Sequence, residues 1–420
     1  MSPVSSPRLR TASLVGAASL WAAASGFLVL LVAARHLSPE ENAEFLVFWA
    51  ALFGVTGVLG GVTVETMRAA GAVTAGARGS RPGALIMPNA LLAGAAMAGA
   101  VAGAGLPFAD RLFSGHGTWA VLTLAAAAVM FSVHAAMAGA LQGSGRWASV
   151  SALTALEASL RFGAVVLAAL LGGSLFGVEA ACLTALLAWL VLLAVSPSAR
   201  GTLPMRADVP AGQLAFQTGH ALVSAAASAA LIVSFPLLVK ITTPPEDFSR
   251  AAPLLLAITL TRAPIMLPLH AFQGMVMAAV MASGTKALRT PVTATLALGA
   301  AGAGLSAAAG PQLMLILGPD YVVARWVLAA LTIASAVIAV LTLTGTALLA
   351  EGRHLAYAGG WVAASVAAFG CLLVPLPIEG RCVLALMAGP AAGLAAHWFV
   401  LRRAENRPSP HTLGVHPIND

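Results

Sequence analysis

Charge is what this sequence lacks most. Of its 420 residues 9% are Asp, Glu, Lys or Arg, while 59% are apolar. Soluble globular domains carry about a quarter charged residues, so a chain of this length with so few cannot have water as its main solvent. Cysteine is also scarce, at three residues, which excludes a disulfide framework. Cys182, Cys371 and Cys382 lie in or beside apolar runs, where a thiol packs as a small apolar group. A bridge between Cys371 and Cys382, which flank one short turn, stays open. There is no Gly-rich nucleotide loop, no metal-ligand cluster and no nucleophile motif, so no enzyme, cofactor or metal site is expected.

Long apolar runs are what the chain has instead. An α-helix needs about 20 apolar residues to cross a hydrocarbon core, and polar residues punctuate this sequence at about that interval. Twelve spans are predicted, near 13–34, 44–64, 85–107, 118–141, 149–171 and 175–196, then 213–239, 253–281, 291–317, 325–349, 354–375 and 380–401. The fold class expected is all-α, a polytopic membrane protein in two six-helix lobes. Arg8 and Arg10 precede the first run, which exceeds the 7–15 residues of a signal h-region, so it is read as an uncleaved helix.

The net charge of +7 would suit nucleic acid, but the placement of the charges argues otherwise. Arg8, Arg10, Arg68, Arg78, Arg81, Arg146, Arg200, Arg206, Lys286, Arg289, Arg353, Arg402, Arg403 and Arg407 fall on one side of an alternating topology. Arg35, Arg111, Lys240, Arg250, Arg325 and Arg381 fall on the other, with most of the acids, including Glu40, Glu41, Glu44, Glu246 and Asp247. By the positive-inside rule both termini are expected in the cytoplasm. The Ala and Gly content suggests a bacterial source, and hence a bacterial cytoplasmic membrane.

Two echoes mark a duplication. Ala140-Leu141 with Gly145-Arg146 returns as Ala347-Leu348 with Gly352-Arg353, 207 positions on, and Pro39-Glu40-Glu41 returns as Pro245-Glu246-Asp247. Each half crosses an even number of times, so the repeats are parallel, and such halves enclose a cleft. The organisation expected is an N-lobe over 1–198, a linker over 199–212, a C-lobe over 213–401 and a cytoplasmic tail over 402–420. Ser38, Pro39 and Glu41 form a capping box between spans 1 and 2. Glycines four apart at 57/61, 99/103, 139/143, 173/177 and 389/393 suit close helix contacts in lipid.

Ionisable groups inside a membrane cost free energy unless they meet water or a partner, so each is a candidate site. Glu157 and Arg161 sit one turn apart in span 5, either locking helices as a neutral pair or facing a polar cavity. Arg262 precedes Pro264, Pro268, His270 and Gln273 in span 8, where two prolines interrupt the backbone ladder and freed groups suit a cavity wall. His134 in span 4 and His220 in span 7 either line the same space or pack. Glu65 and Arg68 end span 2 behind Gly60-Gly61, as a gate pair or an interfacial salt bridge. Arg161 and Arg262 against Glu157 leave +1, which favours an anionic substrate.

The run Ala34-Arg35-His36-Leu37-Ser38-Pro39-Glu40-Glu41 with Phe45 resembles the first outer hairpin of polysaccharide exporters of the multidrug/oligosaccharidyl-lipid/polysaccharide (MOP) superfamily. Gly318-Pro319-Asp320-Tyr321 and the span ending Leu348-Leu349-Ala350 with Gly352-Arg353 look like that family's ninth to eleventh helices. The resemblance covers nearly the whole chain. It implies a MATE-like transporter that flips an anionic lipid-linked saccharide, with Arg161, Arg262, Glu157, His270, Gln273 and His134 as substrate contacts. Membrane lipid and glycan-assembly enzymes would be its partners, nucleic acid would not, and it would act as a monomer. A drug or metabolite exporter, a membrane glycosyltransferase and a nontransporting scaffold are the competing readings; outer loops of about a dozen residues argue against the enzyme.

Overall fold

A computed structural model describes residues 7–76 and 83–405. Arg78, Arg81, Arg407 and most of the expected 402–420 tail lie outside those residues. The transmembrane helices are α1 Pro7–His36, α2 Pro39–Thr74, α3 Ile86–Gly105, α4 Gly117–Gly143, α5 Trp147–Leu170, α6 Leu175–Val195, α7 Ala211–Ile232, α8 Ala252–Ser283, α9 Arg289–Met314, α10 Arg325–Ala350, α11 His354–Leu372 and α12 Ile378–Glu405. Among the described residues eleven helices are long and apolar enough to cross a membrane, and Ala252–Met266 of α8 forms a shorter apolar segment. The chain is a multi-pass, all-helical membrane protein. Among the described residues the β-structure is one isolated bridge, Leu85 to Arg206.

The hairpin between α1 and α2 is tight because its capping box closes, with Ser38 Oγ accepting from the Glu41 amide at 3.2 Å and the Ser38 amide donating to Glu41 at 3.0 Å. At 36 residues α2 would be about 54 Å long, well beyond a core of about 30 Å. It therefore projects past the membrane on the side of the interlobe linker, here called the linker face. The opposite side is the hairpin face.

The first echo is a duplicated turn. Gly145 and Gly352 hold φ of +70° and +73°, which L side chains rarely adopt. The amides of Arg146 and Arg353 return to Leu141 O and Leu348 O, both at 2.8 Å. Each arginine then reaches the carbonyl of a residue at the end of its half, Arg146 to Ser198 at 2.7 Å and Arg353 to Val400 at 3.0 Å. The second echo diverges, since Pro39 opens α2 directly while Pro245–Phe248 is a separate short helix before α8.

Glycine sets the helix contacts. A Cβ at Gly143 would lie 2.8 Å from the Gly71 amide of α2, and Cβ atoms at Gly389 and Gly393 would lie 2.7 Å from the Ala364 and Gly360 carbonyls of α11. Gly99 and Gly103 have nothing within 4 Å, so that pair packs against no other helix. Across the seam between the halves, Gly61 of α2 faces α7, where a Cβ would meet Ala221 backbone at 2.7 Å. All three cysteines are free.

Candidate functional site

The two halves part on the linker face and close on the hairpin face. A cavity of about 1650 Å³ lies between α2 of the first half and α7, α8, α10, α11 and α12 of the second. Its deep end reaches Gly57, Ser228 and Gln273, and its mouth lies at Arg68, Arg353 and His354. The wall is mainly apolar, with His220, Ser224, Ser228 and Tyr357 among its polar groups. Among the described residues its charged lining groups are Glu65, Arg68 and Arg353, all near the mouth. Drug-sized pockets measure about 300–1,000 Å³, and this space is larger.

Arg68 organises the mouth. Its guanidinium meets Glu65 at 2.7 Å, Asp208 of the linker at 2.9 Å and Gln217 of α7 at 3.1 Å. One cation thus ties the first half to the linker and the second half. The guanidinium beside Asp208 holds that carboxyl below the usual carboxylate range. The linker is fixed to the first half by backbone bonds between Ala84 and both Val209 (2.9 Å) and Ala207 (2.8 Å). Arg353 combines its Val400 bond with an ion pair to Glu351 at 3.3 Å.

On the hairpin face several side chains bridge the seam. Arg35 donates to Ile316 O at 2.7 Å, Asn42 donates to the Tyr321 hydroxyl at 2.8 Å, Arg111 donates to Ile241 O at 3.3 Å, and Lys240 pairs with Glu44. Burial pushes the Tyr321 phenol up in pKa. Beneath them one apolar core unites both halves through Phe45, Phe48, Phe113, Phe235 and Phe248. The cavity is thus open on the linker face, while these contacts close the hairpin face.

The structure separates the expected contacts. Gln273, Glu65 and Arg68 line the cavity, and Gln273 donates to Thr346 at 3.1 Å. Arg161, Glu157 and His134 meet within the first half instead. Glu157 bridges Arg161 and His134, the latter at 3.3 Å, and Arg161 lies 4.9 Å from the Phe53 ring centre. The space beside Glu157 and Arg161 is about 10 Å³, roughly one water molecule's probe volume. Arg262 donates to the carbonyl of Ile232 and its Nε has no partner. That carbonyl is free because Pro236, four residues on, has no N–H to offer it. The expected basic cleft of Arg161 and Arg262 is therefore not the cavity described here. The broken helix is the seventh span, which stops at Ile232 and resumes at Phe235, whereas α8 continues through Pro264 and Pro268. The His270 side chain lies outside the described residues.

Sequence reasoning missed the seam residues Asn42, Glu44, Lys240 and Tyr321, the pair His116 and Glu179 within the first half, and the cavity residue Arg353. Glu179 carried a signal, being a carboxylate inside the apolar span 6 as Glu157 is inside span 5. Lys240 is one of two lysines in the sequence and follows an apolar run. Among the described residues no group of three or more His, Cys, Asp or Glu is placed to hold a metal.

No family model matches the chain. It is 37% identical over 398 residues to "Uncharacterized protein Rv1510" of Mycobacterium tuberculosis, covering 93% of this chain and 91% of that protein. It is 34% identical over 400 residues to "Uncharacterized protein Rv3630" of the same species, covering 93% and 92%. Among solved structures it superposes on the inward-facing conformation of a multidrug resistance MATE family transporter of the MOP superfamily, with TM-score 0.68 at 14% identity over 95% of this chain and 100% of that one. A MOP superfamily transporter from Pyrococcus furiosus, described as having a binding pocket of reverse polarity, gives 0.66 at 14% identity over 94% and 96%. These likenesses show the fold of MATE-like transporters.

Proposed function

This chain belongs to the same family as the mycobacterial proteins Rv1510 and Rv3630, and we propose that it is a transporter rather than an enzyme, moving a polyprenyl-pyrophosphate-linked saccharide across the bacterial cytoplasmic membrane. The observation that carries this reading is the cavity itself. It is larger than a drug-sized pocket, apolar in its depth and edged by Arg68 and Arg353 at its mouth. An amphipathic lipid-linked substrate needs all three features. The pyrophosphate meets the arginines, the glycan fills the volume past Gln217 and His220, and the polyprenyl tail stays in lipid at the opening between the lobes. Arg is suited to this task because its planar fork matches phosphate oxygens.

In this reading the linker face is cytoplasmic, as the positive-inside rule requires, and the structure is the loading state of an alternating-access flippase. Glu65 and Arg68 act as the inner gate. Their contacts to Asp208 and Gln217 cross from the first half to the linker and α7, so lobe rotation must rearrange them.

Proteoliposomes holding a fluorescent lipid-linked saccharide test the proposal, with the outer-leaflet label quenched from outside. The protein should equilibrate the label between leaflets. Arg353→Gln, which keeps a donor for Val400 but removes the cation, should slow flipping about 10-fold or more, the loss of one charge-assisted phosphate contact. A second reading, export of drugs or metabolites, fits the same fold. Uptake of soluble solutes with no flipping would establish that reading in place of ours.

A further inference from the structure

The hairpin-face seam holds more buried ionisable groups than a static seal needs. Glu44 of α2 takes Lys240 Nζ and the Ser114 hydroxyl, the latter at 3.1 Å, on one oxygen, Oε1. Its Oε2 is buried with no partner. Behind it Glu179 of α6 is fully buried, with Oε2 at 2.8 Å from His116 Nε2 and Oε1 without a partner. The His116 ring is held at its other end by the Ser114 carbonyl, 3.1 Å from Nδ1.

Hydrogen-bond stoichiometry fixes one proton. A carbonyl oxygen only accepts, so Nδ1 of His116 carries hydrogen. Nε2 then faces a carboxylate oxygen, and two lone pairs cannot meet, so one further proton lies between His116 and Glu179. Either assignment, imidazolium with carboxylate or imidazole with carboxylic acid, leaves that pair neutral. Glu44 is balanced separately by Lys240, whose ammonium also sits 4.4 Å from the Phe248 ring centre.

Opening this face breaks the second balance. Lys240 belongs to the helix Phe235–Thr242 of the second half, while Glu44, His116 and Glu179 belong to the first. When the halves part the ammonium leaves, and two neighbouring carboxylates share a single positive charge in a partly apolar site. The other groups packed around them do not replace it. Arg381 moves away with the second half, Arg111 loses Ile241 when the halves part but is exposed to water, Arg161 is held by Glu157, and Cys182, one turn beyond Glu179, is a buried free thiol.

We propose that Glu44, His116 and Glu179 form a proton-binding site in which a second proton competes with the Lys240 ammonium, so that opening of the hairpin face takes up one proton from that side. The proton comes from water and lands on one of the two unpartnered carboxylate oxygens. Closure returns Lys240 to Glu44 and expels it. This gives the transporter a built-in exchange of lobe position for a proton, and acid on the hairpin side favours the open state. The inference rests on the alternating-access reading above.

The test places spin labels at Phe108→Cys and Leu376→Cys, exposed on the hairpin face of the two halves, after Cys182, Cys371 and Cys382 are replaced by Ser. Inter-label distances are measured in reconstituted protein between pH 8 and 5. One-proton linkage changes the open-to-closed ratio by up to about tenfold per pH unit, rising toward acid. Glu44→Gln, a mimic of the protonated acid, should abolish that slope. If it does not fold, Lys240→Gln serves, because without the competing ammonium the slope must also vanish. A distance that changes without pH dependence, or a slope retained in either variant, overturns the proton site alone. A distance fixed under every condition overturns the alternating-access reading as well.

Discussion

Arg262 offers the sharpest separation of a structural role from a transport role. Its guanidinium satisfies the Ile232 carbonyl that Pro236 leaves unpaired. Replacing Arg262 alone is a poor measure, because Arg262→Met removes both that bond and a buried cation whose Nε lacks a partner. The first loss destabilises, while the second relieves a desolvation cost, and the two oppose each other. A double-mutant cycle cancels the cation's own cost. Pro236→Ala restores an N–H four residues beyond Ile232, so the carbonyl regains a helical partner and no longer needs the arginine. Arg262→Met should therefore cost about 1–2 kcal/mol more in the unsubstituted background than in the Pro236→Ala background, the worth of one satisfied buried carbonyl. That is about a 5- to 30-fold difference in the folded-to-unfolded ratio. Denaturant titration of the purified protein in detergent measures the four stabilities, and the flipping assay is run on the same samples. A coupling near zero, with flipping lost in Arg262→Met and no rescue by Pro236→Ala, would refute the capping argument and return Arg262 to the substrate path.

Two further outcomes are expected. Gly143→Ala, where a Cβ would lie 2.8 Å from the Gly71 amide of α2, should lower stability by about 1–3 kcal/mol through forced helix separation. Gly99→Ala, with nothing within 4 Å, should be neutral or raise it by about 0.5–1 kcal/mol, and thermal unfolding of the pair distinguishes them. Asp208 has a folded-state pKa held below its unfolded value by Arg68. Its contribution is present at pH values above the unfolded carboxylate pKa of about 4 and is lost as pH falls through the depressed folded value. Melting curves on acidification should be flatter for Asp208→Asn than for the unsubstituted chain.

The span pattern and the duplication were legible in the sequence for definite reasons. Hydrocarbon forces every backbone group into a helix, so apolar length alone fixes the elements. The repeated turn was legible because it needs glycine at positive φ and an arginine beside it, at Gly145-Arg146 and again at Gly352-Arg353. The site was much less so. In water a helix announces its packed face by the contrast between apolar and polar residues, but in lipid both faces are apolar and the contrast disappears. Nothing in the pattern could show that Gly61 faces α7 or that Gly99 packs against no neighbour. Charge spacing did reveal that Glu157 and Arg161 would meet, but the presence of a void beside them depends on tertiary packing. Proline misled for a related reason. Pro264 and Pro268 are tolerated within a continuous α8, whereas the break that exposes a carbonyl falls at Ile232, ahead of Pro236.

Duplication also explains where the cavity's chemistry sits. Arg146 and Arg353 occupy the same turn, with the same amide bond and the same reach to a carbonyl at the end of their half. Only Arg353 lines the cavity, because only the second half sends the ends of α10, α11 and α12 to the mouth. The first half contributes α2, whose extra length carries Glu65 and Arg68 to the same rim. A symmetric scaffold has thus been used asymmetrically. One arginine of the pair remains a clasp within its half, and its counterpart, holding an equivalent clasp, also lines the cavity. Substitution of Arg146 should consequently affect folding, whereas substitution of Arg353 should affect folding and transport together, unless the replacement keeps the clasp.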